Sequence, residues 1–542
     1  MDNRKDRYGS AAWASPEEIY RAGLFRPQGP FLGYHQGRML RIGGDGPILT
    51  LAGAGAGKGR DVLLYNACGF RGLRGVWQHI PRLMMNDPRG ELTAVSINNA
   101  ARFRKPVYCI NAFGLHGLPQ HRVNPWNLID KNSRTFHADV KLLVADLIPM
   151  PQGKDAFWNL RAREWAEALV KNHVCNNSQR DAITLPAFYD AVNSLTDENG
   201  LEHIVEQMLH SPFEDVRRTG AEILYKHDKV EKEFGGYLAT MLSYIGFLSD
   251  PVTREALSAS DFSLEALCKE DCTVAVILPA EYLDVLAPMQ RAIFGAGMIY
   301  KFRHPSAANV LFLIDEAAQL GAFDALRRGY SYARGMGCRM WSIWQSPSQV
   351  THNFGPSSLS EFMASAQVRQ VFGIRDIETA ETMSRMLGQQ TLRYDDPLAQ
   401  NAARHQRQQA VEALLSGGDP IAAAIAGAQA AYAQTHQTEQ ARALLDPAEL
   451  LKLPENKQIL FVSGLGLNPI LADRYPYWTR PEMAGTYLPN PYHPPHDRVK
   501  VRTRWRTKEA RVITERVPSA LAHLPQYQSG EWSYIAGYRP EL

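Results

Sequence analysis

The segment LTLAGAGAGKGRD, residues 49–61, constrains the fold of this chain more than any other. It follows a β-prone run at 48–51 and leads into Val62, Leu63, Leu64 and Ala67, apolar positions spaced for a helix. Glycines at 53, 55 and 57 let backbone N–H groups turn inward, and Lys58 falls where the helix would begin. Strand, glycine loop and helix in that order make an anion cradle, because amide hydrogens and the positive end of a helix converge on one point. Gly53, Gly55, Ala56, Gly57, Lys58, Gly59 and Arg60 are therefore the candidate phosphate-binding residues. Two positions depart from the P-loop pattern: Ala52 stands where its first glycine belongs, and Gly59 replaces the Ser or Thr that follows the lysine. Such a loop alone is also an ordinary Gly/Ala turn, so a second motif has to decide.

The 542 residues allow two to four domains and a large core, and 45% hydrophobic with 21% charged residues is the balance of a globular protein. A net charge of only +3 excludes a global basic field, so any nucleic-acid contact must come from local patches. Six scattered cysteines, with no second pair beside Cys268 and Cys272, read as reduced thiols of a cytosolic chain. The polar start MDNRKDRYGS leads to no signal-peptide core, and no run of about 18 apolar residues offers a membrane span.

Residues 1–47 are rich in Gly and Pro turn signals and read as an arm leading onto the first strand. A first nucleotide-binding part covers 48–150, with short apolar runs at 83–87 and 107–113 that suit strands of a buried parallel sheet. Over 151–255 the period becomes helical, with Trp158, Ala162, Trp165, Leu169 and Val170 on one stripe, and predicts an inserted all-α domain. Strand patterns return over 256–394 at TVAVILP, VLFLID, RMWSIW and VRQVFG. Residues 395–445 are Ala- and Gln-rich and read as an exposed helical or partly disordered insertion, 446–482 carry a late strand, and 483–542 form a basic tail without a strong core signal. The expected class is α/β: a helix-covered, mainly parallel sheet interrupted by an all-α domain.

The partner of the glycine loop is VLFLIDEAAQLG, 310–321. Five apolar residues make a buried strand, and Asp315 and Glu316 emerge at its carboxyl end, the edge where open α/β sheets bind ligands. The first acid would hold Mg²⁺ directly or through water, and the second would polarise the water that attacks a γ-phosphate. The helical insertion accounts for the separation of 257 positions from Lys58 to Asp315.

With these motifs in this order, the chain resembles the conjugative coupling-protein ATPases of type IV secretion (TraG-like), within the RecA-like hexameric DNA-translocase group. The likeness rests on GSAAWASPEEIYRAGLF (9–25), AGAGAGKG, NDPRGEL (86–92), VNPWNLI (123–129), LIDEAAQLG, ARGMGCRMWSIWQSPSQV (333–350) and LLDPAELLKLPENKQILFVSG (444–464). The resemblance implies a RecA-like P-loop NTPase domain, ATP and Mg²⁺ as ligands, and a homo-hexamer. Lys58 would neutralise the β- and γ-phosphates, and Gly55 and Gly57 would offer backbone donors. Gln345 would sense the γ-phosphate or position water, and Arg334 is the candidate arginine finger, with Arg327, Arg328 and Arg375 as competitors. Asp87 and Glu91 would lie near the same sheet edge, where they organise Mg²⁺ or water or cap a helix. Arg89 keeps the charge of the family's lysine but not its geometry, and Gly59 offers no hydroxyl to a metal.

Candidate basic stretches for nucleic acid are RFRK (102–105) and 498–511. Implied partners are single- or double-stranded DNA, a relaxase-type nucleoprotein and type IV secretion channel components, with recruitment to the cytoplasmic face of the bacterial inner membrane. Coupling proteins of this kind typically begin with a transmembrane anchor, whereas here the family-like segment starts by about residue 9. A naturally anchorless member, a separate anchoring partner or a trimmed chain would each account for that. The function implied is ATP-driven delivery of DNA to a secretion channel. The alternatives are a DNA-pumping ATPase outside conjugation and a nucleotide-gated adaptor with negligible hydrolysis.

Overall fold

Four strands buried at every position form the spine of the molecule: β3 (Ile48–Ala52), β6 (Thr273–Leu278), β7 (Val310–Ile314) and β8 (Cys338–Trp344). Strands with no polar face must be covered on both sides, which is the situation of a parallel sheet flanked by helices. The computed structural model describes residues 9–542 apart from 73–75, 152, 154–155, 178, 395–396, 417–418, 436–437, 493–497, 503–506, 525–526 and 528–529. Its main sheet also holds β1 (Phe31–His35), β2 (Arg38–Arg41), β4 (Leu83–Pro88), β5 (Val107–Ile110), β9 (Val368–Phe372), β10 (Lys457–Val462) and β11 (Ile470–Asp473). The order across the eleven strands is β2-β1-β11-β10-β9-β3-β8-β7-β4-β6-β5.

From β9 to β5 every neighbouring pair is parallel. The other flank turns antiparallel, with β10 against β9 and the β1–β2 hairpin beyond β11. Residues 31–41, expected as part of a leading arm, are thus strands of the sheet itself. Gly33 makes this fit possible: it sits at φ 149°, and a Cβ there would lie 1.9 Å from Gln458 Nε2.

A buried polar ladder pins the register of this flank. Trp341 Nε1 donates to Thr50 Oγ1 (2.8 Å), Thr50 Oγ1 to Gln370 Oε1 (2.9 Å), and Gln370 Nε2 to Gln458 Oε1 (2.6 Å) and Leu32 O (2.9 Å). A one-residue slip would strand these groups without partners, at about 1–3 kcal/mol each.

Between β5 and β6 the chain is helical, from Phe136–Leu147 to Ala266–Lys269. Ala162, Trp165, Leu169 and Val170 are buried as their spacing predicts, and Trp165 meets the Tyr237 ring edge-on at 5.1 Å. Trp158, in the first turn of its helix, is 36% exposed but keeps to the stripe, its ring 5.6 Å from the same Tyr237.

The chain divides into two compact units. The larger comprises 16–373, 454–467 and 471–542, and the smaller comprises 1–15, 374–453 and 468–470. The smaller unit holds helix Ile377–Leu387, an antiparallel pair (Gln389–Tyr394 with Thr438–Ala443), two helices at Pro397–Leu415 and Pro420–Thr435 that pack on each other, and Pro447–Leu451, started by an Asp446/Glu449 capping box.

The expectation of a coreless tail at 483–542 is corrected. Strands Arg498–Arg502, Thr507–Arg516 and Glu531–Ile535 form a separate sheet, and Leu488, Leu521, Leu524, Tyr527 and Trp532 bury one another beside it. These apolar residues are dispersed without helix or strand period, so no local window displays them as a core.

Candidate functional site

Register places the site. Leu51 of β3 pairs with Trp344 of β8, and Ile314 of β7 pairs with both Ser342 of β8 and Asn86 of β4, so the carboxyl ends of these strands finish level. The glycine loop, Asp315–Glu316, Gln345 and Asn86 therefore emerge together. Gly55 (φ 69°) and Gly57 (φ 79°) hold the left-handed turns that curl the loop, and a Cβ on Gly57 would lie 2.8 Å from Arg60 Nη2 and 2.9 Å from Asp61 Oδ2. Gly59–Leu63 is a π-helical turn that passes into helix Leu64–Cys68.

Lys58 reaches from this loop to both acids. Its Nζ lies 3.3 Å from Asp315 Oδ1 and forms a close ion pair with Glu316 Oε1. Burial by itself would lower the ammonium pKa, but the charges of Asp315 and Glu316 overcome it and hold Lys58 above its ordinary value. Burial, reinforced by Glu316, raises Asp315 against the pull of Lys58. Glu316 takes a left-handed backbone (φ 54°), unusual for a residue with a side chain, and accepts Gln345 Nε2 at Oε2 (2.9 Å). Gln345 is oriented in turn by its own N–H bonded to Gln349 Oε1 (2.8 Å). Lys58, Glu316 and Gln345 are one connected chain of polar contacts.

Two residues of this neighbourhood escaped the sequence reading as site components. Asn86 is fully buried, donates Nδ2 to the Asp315 carbonyl (2.9 Å) and leaves Oδ1 without a hydrogen-bond partner among the described residues. Its only sequence signal is an amide inside an apolar strand. Arg474 bonds Ala56 O (2.8 Å) and Asp61 Oδ2 (3.1 Å) on the outside of the loop, and no local pattern announces it.

Other candidates lie elsewhere. Arg60 turns to Asp61, with Nε 2.6 Å from Oδ1, and that hydrogen bond raises its pKa first. Arg334 precedes β8 at the amino edge of the sheet, opposite the loop; seven residues at about 3.3 Å each put roughly 23 Å of strand between the two edges. It is exposed, on a turn whose Gly335 and Gly337 amides bond Asp45 Oδ2. Arg327 is committed to Glu361 by bonds of 2.7–2.9 Å, Arg328 stands 3.8 Å from Asp146, and Arg375 belongs to the smaller unit.

Asp87 is a cap: its carboxylate accepts Leu92 N (3.1 Å), Thr93 N (2.7 Å) and Thr93 Oγ1 (2.7 Å), while burial pushes it up to about 7. Glu91 accepts Asn490 Nδ2 (2.6 Å). In the stretch 102–105 only Arg104 is exposed, because Arg102 bonds the carbonyls of Gly485 and Thr486, and Lys105 is buried against Ile80 O. Of the stretch 498–511, residues 498–502 pair antiparallel with 507–511, and 503–506 lie outside the described residues.

The residues present suit a bound nucleotide and its metal. Left-handed glycines curl the loop, a lysine stands at its end, and Asp315 supplies the oxygen donor a hard cation requires. Gly59 contributes no hydroxyl, so metal binding would lean on that carboxylate. The sheet topology is that of the RecA-like α/β class, with a glycine loop, a lysine and an acidic pair gathered at one carboxyl edge. The family described as Type IV secretory system Conjugative DNA transfer matches residues 3–412, and the chain belongs to it.

The chain is 24% identical over 510 residues to the conjugal transfer protein TraG of Escherichia coli, covering 83% of this chain and 72% of that protein. It is 23% identical over 410 residues to VirD4 of Rhizobium rhizogenes, covering 71% of this chain but only 57% of that protein. Among solved structures, the plasmid coupling protein TrwB in complex with the ATP analogue ADPNP has a TM-score of 0.59 at 13% identity, over 87% of this chain and 95% of that one. TrwB with ADP and Mg²⁺ has a TM-score of 0.53 at 14% identity, over 79% and 85%. Among the described residues no helix is long and apolar enough to cross a membrane.

Proposed function

We propose that this protein is an ATP-hydrolysing coupling protein that recruits DNA, or DNA carrying a relaxase-type protein, and delivers it to a type IV secretion channel. The observation that carries the reading is the convergence of Lys58, Asp315, Glu316 and Gln345 at one sheet edge. Membership of the conjugative DNA transfer family and likeness to proteins named for conjugal transfer support the cargo and the channel as partners.

The chain's own residues suggest how hydrolysis proceeds. Lys58 leaves its two acids for the β- and γ-phosphate oxygens, where a compact ammonium neutralises developing charge. Glu316, freed of that ion pair, accepts the hydrogen of the attacking water, and Gln345 aligns Glu316 and the water through its amide. Bound Mg²⁺, held by Asp315, would supply charge neutralisation at the phosphate oxygens. Arg334, at the far edge from its own loop, serves a neighbouring subunit in a ring of six, its planar fork gripping phosphate oxygens across the interface.

The test is ATP turnover with and without single-stranded and double-stranded DNA, beside Lys58→Ala and Glu316→Gln. DNA-stimulated turnover that both substitutions abolish is expected. Negligible, DNA-insensitive turnover by assembled wild type would establish the nucleotide-gated adaptor in its place.

A further inference from the structure

We propose that Arg474 is a positioning residue for the phosphate-binding loop, holding one peptide of that loop in its anion-binding orientation from outside the site. The inference rests on the reading of 53–58 as a nucleotide loop. Arg474 directly follows β11 and is 1% exposed. Its guanidinium lies 3.8 Å above the centre of the Phe372 ring. Nη1 donates to Ala56 O at 2.8 Å and to Asp61 Oδ2 at 3.1 Å, and Nη2 donates to Glu455 O.

The Ala56 contact matters because of peptide geometry. In a trans peptide the C=O of residue 56 and the N–H of residue 57 point to opposite sides. Fixing the Ala56 carbonyl outward on a buried cation therefore aims the Gly57 N–H inward, and that N–H donates to no protein acceptor among the described residues. Flipping this peptide would break a charge-assisted bond and leave a guanidinium donor unpaired in a dry environment.

Asp61 completes the latch. It is also 1% exposed, its N–H bonds Gly57 O (2.8 Å), and its carboxylate takes both Arg474 and Arg60. Gly373, next to the Phe372 ring, is equally tight against the loop, since a Cβ there would lie 2.3 Å from Ala56 Cβ. The loop is thus held at Ala56, Gly57 and Asp61 by groups that leave its concave side to the ligand. A buried Arg–Asp pair is by itself weak evidence of stabilisation; what distinguishes this one is that the same Nη1 engages the loop carbonyl.

The experiment measures mant-ATP affinity, the thermal midpoint and amide hydrogen exchange over 53–60 for the full chain carrying Arg474→Met, Arg474→Lys, Phe372→Leu or Lys58→Ala. Arg474→Met is expected to weaken mant-ATP binding about tenfold, the effect of leaving one buried pair unmade, and to raise exchange in 53–60 selectively. Arg474→Lys, which keeps one donor, should fall between it and wild type. Unchanged affinity and exchange in Arg474→Met would overturn the proposal, as would an affinity loss that only parallels global loss of protection. If Arg474→Met does not fold, Phe372→Leu decides: weaker binding at an unchanged midpoint supports the latch, and unchanged binding refutes it. Wild type that binds no mant-ATP, like Lys58→Ala, would instead refute the nucleotide-site reading and the latch with it.

Discussion

Lys58 and Glu316, 258 residues apart in sequence, form an ion pair between the loop after β3 and the turn after β7. The pair joins the two halves of the site that the helical insertion separates in the chain. It also means that the lysine is already compensated, so a phosphate group must outcompete a carboxylate that then becomes free to act on water.

That exchange predicts a split between two variants. Glu316→Gln keeps the shape and loses the base, so nucleotide binding persists while kcat falls about 10²- to 10⁴-fold. Lys58→Ala loses nucleotide affinity itself and leaves two neighbouring carboxylates uncompensated. Equilibrium nucleotide binding measured beside steady-state turnover separates the two; equal binding losses would count against the assigned roles.

Gly57 lies at φ 79° with a guanidinium and a carboxylate where a Cβ would go. Gly57→Ala is expected to weaken nucleotide affinity by at least about tenfold through strain of about 1–3 kcal/mol in the loop, with the far-ultraviolet circular dichroism of wild type. Calorimetric titration with an ATP analogue checks it.

The position of Arg334 predicts complementation. Arg334→Ala removes the arginine but keeps its own loop, and Lys58→Ala does the reverse. Each alone should be inactive as a ring, and mixing them should restore part of the turnover, because some interfaces then pair an intact loop with an intact arginine. No recovery in rings shown by native mass spectrometry to be mixed would reassign the arginine.

Asp146 predicts a pH dependence of stability. Its side-chain oxygens have no hydrogen-bond partner among the described residues, Gly295 packs against it, and burial pushes its pKa from 3.8 up to about 7 against the pull of Arg328 and Arg291. The folded state therefore holds the proton more tightly than the unfolded state. The group costs nothing below about pH 3.8, and its destabilising effect grows as pH rises through about 7. Relative to Asp146→Asn, wild type should lose about 2–3 kcal/mol between pH 5 and pH 8. Urea unfolding of both proteins at the two pH values measures the difference, and parallel pH profiles would contradict it.

Short-range patterns exposed much of the architecture. Ile48–Ala52 and Val310–Ile314 are apolar runs ending in a glycine turn and in a pair of acids, and each announces a buried strand whose carboxyl end carries polar groups. The dependence on context appears at 102–105, where Arg102 and Lys105 look like part of a basic patch until Gly485, Thr486 and Ile80 supply their carbonyls. Asp87 shows the same effect in reverse: an acid at a promising strand end is consumed by the N–H groups of Leu92 and Thr93. Charge along the chain does not display its partners.

Local pattern was enough to specify the strand–loop–helix around Lys58, the strand that ends in Asp315 and Glu316, and the helical character of the insertion. These depend on spacing within about a dozen residues, where backbone preference and apolar period are local properties. Assembly of the sheet was needed to bond Gln345 to Glu316, to set Arg334 at the opposite edge from Lys58, and to bring Arg474 and Asn86 into the neighbourhood of the loop and Asp315. Register accounts for the difference: side chains hundreds of residues apart meet because parallel strands finish level, and that alignment is a property of the assembled sheet.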